Sequence, residues 1–401
     1  MLLLQLIETS AGQRRFIWLV DRTTVEFEVW QRVLKRFGAV VDITGLSAAE
    51  AADQVAVHAP DGIIAFAEVE LMRAASIGGH LGLAVQSEAT VTRLTNKHAQ
   101  RRALRAAGLP TPDFWAVPAG TGAAVQEAIR REVRYPAVVK PQSGAGSQGT
   151  DRVANAAELA QELEQAGNVD LLVEQMLQDS WPRAERPYAD FVSVESILAG
   201  GRLSHLAVTG RSRLADPYRE TGDFIPSNLP RETTDEIVRV AGRAIEAVQA
   251  DTGVFHTEVK VTPDGPCVIE VNGRVGGSIP EIFALATDGA WSFLDIACRV
   301  ALGEALHFDG PVPCQRVGYS IFEPPPLGAT RVLRLDGLDE VRRVPGVDTL
   351  LINRRPGDAV DSREGYDARL YSVYGAADDH DAMWAARRRI KEIVVAEFAF
   401  G

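Results

Sequence analysis

Two periods of apolar and polar positions alternate through the first 90 residues. Residues 15–21 (RFIWLVD) form an apolar run of strand length, and VEFEVWQRVLKRFG repeats apolar residues at helical spacing up to Gly38. AVVDITG (residues 39–45) reads as a second strand, and Ser47 with Glu50 three positions on is a capping box that opens another helix. DGIIAF (61–66) reads as a third strand, followed by a helix from about Glu70 to Leu83. Strands alternating with helices imply a parallel sheet of Rossmann-like topology over residues 1–90. No glycine-rich phosphate loop accompanies these strands, so the segment is read as a packing and substrate-side domain.

The pattern then changes. TNKHAQRRALRAAGLPTP (95–112) is a basic helix closed by Gly108, with Pro110 beyond it. From about 110 to 175 an α+β lid is expected: strand PAVVK, a glycine-rich loop, strand DRVAN, a helix from Asn155 and strand DLLVE. A larger α+β stretch, built on an antiparallel sheet, runs to about 310, so residues 91–310 are read as one domain. The stiff segment EPPPLG (323–328) lies within a last α+β unit, 311–401, that completes the core with short strands (RVLRL, VDTLLINRR, ARLYSVYG) and a helix from about Asp379.

Composition narrows the function. A net charge of −12 argues against a nucleic-acid binder, which carries a basic face. The three cysteines, Cys267, Cys298 and Cys314, are too few and too scattered for a disulfide framework or a zinc site and read as reduced thiols. The opening MLLLQLIETSAG is too short for a membrane span and is flanked wrongly for a signal peptide, so no membrane association and a cytoplasmic location are expected. Only five of the 42 basic residues are lysines: Lys35, Lys97, Lys140, Lys260 and Lys391. Such scarcity fits two readings, codon bias or sites that need a compact ammonium.

Two segments carry chemistry. In PAVVKPQSGAGSQGT (136–150), residues 144–149 spell GxGxxG, but the loop leads into a strand rather than a helix, which excludes a dinucleotide turn. Nor is it a P-loop, because Lys140 precedes the glycines. A strand-ending lysine before Gly144, Gly146, Ser147 and Gly149 suits a flap over phosphate; a flexible surface loop is the plain alternative.

The second segment is the hairpin FHTEVKVTPDGPCVIEVNGRVGGS (255–278). A two-residue loop would set Glu258 and Glu270 on opposite faces. A three-residue loop, Pro263 to Gly265, pairs Glu258 with Glu270 and His256 with Asn272, and this loop is predicted. Two carboxylates and an amide oxygen then converge, the ligand set Mg²⁺ prefers. Arg274 lies in range of a transferred phosphoryl group, and Gly276, Gly277 and Ser278 open a helix that suits either plain capping or a substrate carboxylate. His256 is either a base for an amine or a histidine satisfied by its neighbours. Arg211 and Glu220 lie in a polar loop placed to line a substrate site.

Taken in order along the chain, these segments resemble the ATP-grasp superfamily, and HTEVKVTPDGPCVIEVNGRVGGSIPE is most similar to the dipeptide-forming L-amino-acid ligases. The resemblance implies an ATP-grasp fold, with Lys97 and Lys140 on the α- and β-phosphates and the hinge Glu174, Gln175 to Leu177 on the adenine. It implies two Mg²⁺ ions, with Mn²⁺ as a substitute, on Glu258, Glu270 and Asn272, and a catalytic Arg274. Where the family places a ribose-binding glutamate, QDSWPRAERPYADFVSVES intervenes and the nearest equivalent is Asp190. The activity implied is ATP-dependent amide-bond formation through an acyl phosphate, joining an amino-acid carboxylate to an amine. A homodimer is the family expectation. Other ATP-grasp chemistries, such as D-alanine ligation, purine assembly or biotin carboxylation, and a non-catalytic ATP-binding regulator are the alternatives.

Overall fold

The computed structural model describes residues 2–9, 13–23, 27–180, 187–216 and 218–401. The start of the expected first helix at 25–26 and residues 181–186 of the insert after the hinge lie outside the described residues. Two strands near the N-terminus, β1 (Phe16–Val20) and β2 (Gly38–Asp42), pair in parallel with helix Phe27–Phe37 between them. The capping box forms: Ser47 Oγ accepts from the Glu50 amide at 3.3 Å and Glu50 accepts from the Ser47 amide at 2.8 Å. A helix at Leu71–His80 follows.

The expected third strand does not form, because residues 61–66 join no ladder. A Cβ on Gly62 would lie 2.2 Å from the Ala301 carbonyl oxygen, so this segment lies with its backbone against the end of helix Phe293–Ala301. Its side chains divide: Ile63 joins the N-terminal cluster with Val41 and Ile77, while Ile64 and Phe66 pack on the main core. Apolarity marked the segment for burial, and two separate cores share it.

The lid is a four-stranded antiparallel sheet of β3 (Phe114–Val117), β4 (Ala137–Pro141), β5 (Asp151–Val153) and β6 (Leu171–Gln175), in the order β3-β6-β4-β5. Helices Ala123–Glu132 and Ala156–Gln165 cover it, and Asn155 caps the second of these. The glycine segment thus connects two adjacent antiparallel strands, as its sequence context requires.

The core continues with β7 (Tyr188–Ala199), β8 (Arg202–Ser212), β9 (Asp223–Ile225), β10 (Gly253–Thr262), β11 (Gly265–Asn272) and β12 (Val317–Phe322). The remaining strands are β13 (Ala329–Asp336), β14 (Val347–Ile352), β15 (Tyr371–Ala377) and β16 (Val395–Phe400). Eight of these form one antiparallel sheet in the order β11-β10-β7-β8-β9-β12-β15-β14, so strands from the last hundred residues extend the central sheet. β13 and β16 form a separate two-stranded ribbon. Helices Ile279–Ala286 and Phe293–Ala301 bury Ile282, Phe283, Phe293 and Ile296 against Ile197, Leu206 and Val254.

Helix Ile279–Ala286 approaches β12 very closely. A Cβ on Gly318 would sit 2.0 Å from the Ile282 carbonyl oxygen and 2.8 Å from the Ala286 nitrogen. Both atoms are helix backbone and cannot turn away. Gly318→Ala is therefore expected to cost about 3 kcal/mol, the upper range for overpacking a core. Urea unfolding checks this as a lower midpoint at unchanged slope.

Candidate active site

The hairpin register is the first determinant of the site. Glu258 pairs with Glu270 and His256 with Asn272, as the sequence leads one to expect, but the turn differs. Thr262 pairs with Gly265, so the loop holds only Pro263 and Asp264. A bulge between Glu258 and Val259 then leaves Ile269 unopposed and shifts the register by one residue. That extra residue flips β11 and brings the two carboxylates back to one face.

β11 is an edge strand, and helix Lys97–Ala106 covers its edge with side chains. Gln100 accepts from the Val271 amide at 2.8 Å and donates to the Val271 carbonyl at 2.9 Å. Arg101 donates to the carbonyls of Val268 (3.2 Å) and Ile269 (2.5 Å), the groups around the bulge. Its remaining donors grip Glu174 at 2.5 Å and 3.4 Å.

Lid, hairpin and N-terminal segment enclose a cavity of about 700 Å³. Every candidate phosphate, adenine, metal, catalytic and substrate residue named from the sequence lines it except Gly149, which lies against Pro141. Lys140 enters from β4, 2.6 Å from Glu174. Burial pushes Glu174 up, but Arg101 and Lys140 outweigh it and hold the carboxyl at about 2. Because Glu174 is shared with Arg101, burial still leaves the Lys140 ammonium below its ordinary value. A buried cation served by half a carboxylate favours a further anion. Gln175 and Leu177 continue along the cavity wall after Glu174.

Lys97 lies 2.9 Å from Glu270 and also donates to the Gly144 carbonyl of the flap. Burial disfavours its charge, yet Glu270 and Glu68 hold its pKa above the usual value. The flap rests on the short segment Ser362–Ala368: Tyr366 N–H donates to Gly146 O at 3.1 Å, and Gln148 donates to Asp367 at 3.4 Å. Arg219 donates to Ser147 O at 3.2 Å and to Ser362 O. Ser147 itself holds a left-handed φ of 57°.

His256 lies buried, 2.9 Å from Glu195 and 3.6 Å from Glu258. Burial opposes its charge, but Glu195 outweighs that and pushes its pKa up to about 9. The other ring nitrogen, Nε2, faces the Arg211 guanidinium at 2.9 Å, so both nitrogens of His256 have neighbours to bond. Glu258, which burial alone would raise, is held at about 2 by His256 and Arg211. Arg211 is itself engaged by Glu220 at 3.1 Å, Ser193 at 3.2 Å and Asp223, and it lies 3.9 Å from Glu258. Asp190 is tied to Lys260 at 2.7 Å, with Asp179 on the same ammonium at 2.8 Å.

Gly276 and Gly277 pass close beneath neighbours: a Cβ on the first would meet the His256 ring at 2.6 Å, and on the second the Tyr366 hydroxyl at 3.3 Å. Ser278 donates to Asp223 as helix Ile279–Ala286 begins. Arg274 reaches the Val275 carbonyl at 3.1 Å and Glu68 at 3.9 Å.

Sequence reasoning missed Glu68, Arg101, Glu195, Asp223 and Tyr366. Arg101 reads as one more charge on a basic helix, and Glu68 is a lone acid beside Glu70; neither carries a spacing signal. For Mg²⁺ the donor set fits. Glu258 and Glu270 are cross-strand partners, and Asn272, donating its amide nitrogen to His256 O at 3.2 Å, keeps its amide oxygen for a ligand. Among the described residues no three His, Cys, Asp or Glu side chains gather to hold a metal. Mg²⁺ is usually held by one or two carboxylates together with substrate phosphates.

This lid over an antiparallel core, with its cavity between them, is the ATP-grasp fold, and residues 94–278 match the ATP-grasp domain family. It is similar over 98% of its length to the crystal structure of an L-amino acid ligase from Bacillus licheniformis, with 96% of that chain covered, a TM-score of 0.81 and 21% identity. In sequence it is 27% identical over 300 residues to the uncharacterized protein y4rH of Sinorhizobium fredii, covering 72% of this chain. It is 32% identical over 162 residues to carnosine synthase 1 of Gallus gallus, covering 36% of this chain. The chain spans 58% of the length of the first relative and 16% of the second. Among the described residues no helix is long and apolar enough to cross a membrane.

Proposed function

We propose that the chain is an ATP- and Mg²⁺-dependent carboxylate–amine ligase that joins an amino acid to an amino acid, peptide or amine through an acyl phosphate. The observation that carries this reading is the convergence on one cavity of Glu258, Glu270, Asn272 and Arg274 with Lys97, Lys140 and the glycine flap. The names of the relatives, an L-amino acid ligase and a carnosine synthase, support the same class of reaction.

In this reading Lys97 and Lys140 bind phosphates, and Lys97 exchanges Glu270 for them as the nucleotide enters. The hinge of Glu174, Gln175 and Leu177 borders the adenine, with Asp190 and Lys260 toward the ribose end. Glu258, Glu270 and Asn272 hold Mg²⁺, two ions in the fullest form, with Mn²⁺ as a substitute. When bound, the metal neutralises charge on the transferring phosphoryl group. Arg274 stabilises negative charge on the acyl phosphate and on the oxyanion that forms when an amine attacks. Gly144, Gly146, Ser147 and Gly149 exclude water that would hydrolyse the acyl phosphate. Arg211 and Glu220, locked together, shape the substrate wall with His256, Gly276 and Gly277.

Phosphate release from ATP and Mg²⁺ across a matrix of paired amino acids, with mass spectrometry of each positive mixture, tests the proposal. A condensed product that needs both partners supports it. ATP binding without partner-dependent turnover removes it.

A further inference from the structure

Three of the five lysines, Lys97, Lys140 and Lys260, line the main cavity. Lys391 lines a second cavity, of about 330 Å³, with Arg213, Thr221, Trp384, Arg387 and Arg388. Helix His380–Ile393 supplies Trp384, Arg387, Arg388 and Lys391, whose spacing of i, i+3, i+4 and i+7 sets them on one helix face. Arg213 and Thr221 come from the segment that follows β8.

Among the described residues that line this cavity none is acidic, in a chain whose net charge is −12. The buried Glu323 is the nearest counter-charge: burial pushes its carboxyl up, and Lys391 and Arg387 pull it down. Four cations therefore share one carboxylate whose own charge burial disfavours.

A solvated basic helix face is the plain alternative. The helix dipole accounts for Lys391, which stands in the last turn, but not for Arg387 and Arg388. Lys391 is four positions from Arg387 and three from Arg388, and like charges at those spacings destabilise a helix. Nor is Arg387 a loose surface side chain. It donates to both O and Oγ1 of Thr221 at 2.7 Å, which fixes its guanidinium and engages two of its five N–H donors. Burial holds its pKa below the ordinary value in spite of Glu323. A cation placed so gains from an added anion.

Size and charge define that anion. About 330 Å³ lies at the small end of ligand pockets. Guanidinium groups match the oxygens of phosphate in spacing and number. Trp384 packs edge-on against Phe224 at 5.6 Å and gives the cavity an apolar wall.

We propose that this cavity is a second ligand site, which binds a small phosphate-bearing anion on Arg213, Arg387, Arg388 and Lys391. It stands apart from the ligase reading but adjoins the active site. Arg213 lines both cavities, and Thr221 Oγ1 donates to its carbonyl at 2.6 Å. Arg219 and Glu220, directly before Thr221, hold the flap at Ser147 and the side chain of Arg211.

The test is calorimetry with inorganic phosphate and with glucose 6-phosphate, after the nucleotide site has been filled with Mg²⁺ and a non-hydrolysable ATP analogue. Wild type is expected to bind with a dissociation constant of about 1 mM or lower, the scale of a few charge-assisted hydrogen bonds. The tighter of the two compounds tells free phosphate from a phosphate ester as the source. Arg388→Gln combined with Lys391→Gln is expected to weaken binding by about tenfold or more. Both side chains are exposed, so this variant is expected to fold and to bind the ATP analogue as wild type does. Arg131→Gln combined with Arg231→Gln removes the same charge from sites 77% and 94% exposed, and is expected to bind phosphate as wild type does.

Equal weakening in the two double variants would reduce the effect to net charge and overturn the assignment. So would a wild type that binds neither compound once the analogue is in place.

Discussion

Replacing Glu270 with alanine is expected to lower amino-acid-dependent phosphate release by about 10³-fold or more, the scale of losing a metal's stabilisation of a phosphoryl-transfer transition state. Glu270 is the member of the cross-strand pair that faces both Lys97 and the hairpin partner Glu258. Its loss would remove one of the two carboxylates proposed for Mg²⁺ and also release Lys97. The first effect raises the Mg²⁺ concentration needed for half-maximal turnover. The second leaves the ammonium free for phosphate, so nucleotide binding without Mg²⁺ is expected to hold or tighten. Steady-state release across a Mg²⁺ titration, with calorimetry of ATP binding in chelator, separates the two. Equal activity of the variant and wild type at saturating Mg²⁺ would remove Glu270 from the metal site.

The largest loss of stability is expected at Arg101, which no motif marked. Arg101→Met leaves Glu174 buried with Lys140 as its remaining cation and strips donors from the Val268 and Ile269 carbonyls. Breaking a buried pair from one side costs about 3–5 kcal/mol. In a domain of this size that corresponds to a Tm lower by about 10 °C.

A pH signature accompanies it. Glu174 is depressed in the folded state to about 2, against an ordinary carboxyl value of 4.5. Its contribution is therefore present above the unfolded value and is lost as pH falls from about 4.5 toward 2. The interval corresponds to about 3 kcal/mol by linkage. Stability of wild type is expected to fall steeply over this range, and the Arg101→Met variant to show a shallower limb. Urea midpoints at stepped pH measure both. Because Arg101 also holds the carbonyls at the bulge, the variant is expected to bind Mg²⁺ less well at temperatures where it remains folded.

The bulge shows how far the sequence could be read. Alternation along FHTEVKVT and CVIEVN set which side chains share a face on each arm, and acidic residues at matched distance from the turn pointed to pairing. Glu258 does face Glu270, but through a two-residue turn and an unopposed Ile269 rather than a three-residue loop. A bulge is stabilised by what its freed carbonyls meet, here Arg101 from a helix some 170 positions earlier, and local pattern carries no trace of that contact. The same limit applies to residues 61–66, whose apolarity is that of a strand but whose burial is divided between two cores. Strands from the last hundred residues join the central sheet for a related reason: β12 pairs with β9 and with β15 across long sequence gaps, and β15 in turn pairs with β14.

What was legible lay where chemistry needs rare residue types at fixed spacing. Lysines are few, so Lys97 and Lys140 stood out, and the glycine segment could be placed between strands because no helix follows it. His256 shows the opposite case. Its position was readable, but its protonation depends on Glu195, which arrives from β7.

The most direct test of the central claim uses the best donor amino acid with ¹⁸O in its carboxylate, incubated with wild-type protein, ATP, Mg²⁺ and the partner amine. Activation through an acyl phosphate predicts one ¹⁸O in each inorganic phosphate released, in step with condensed product. Phosphate that carries no label while product accumulates would contradict the account.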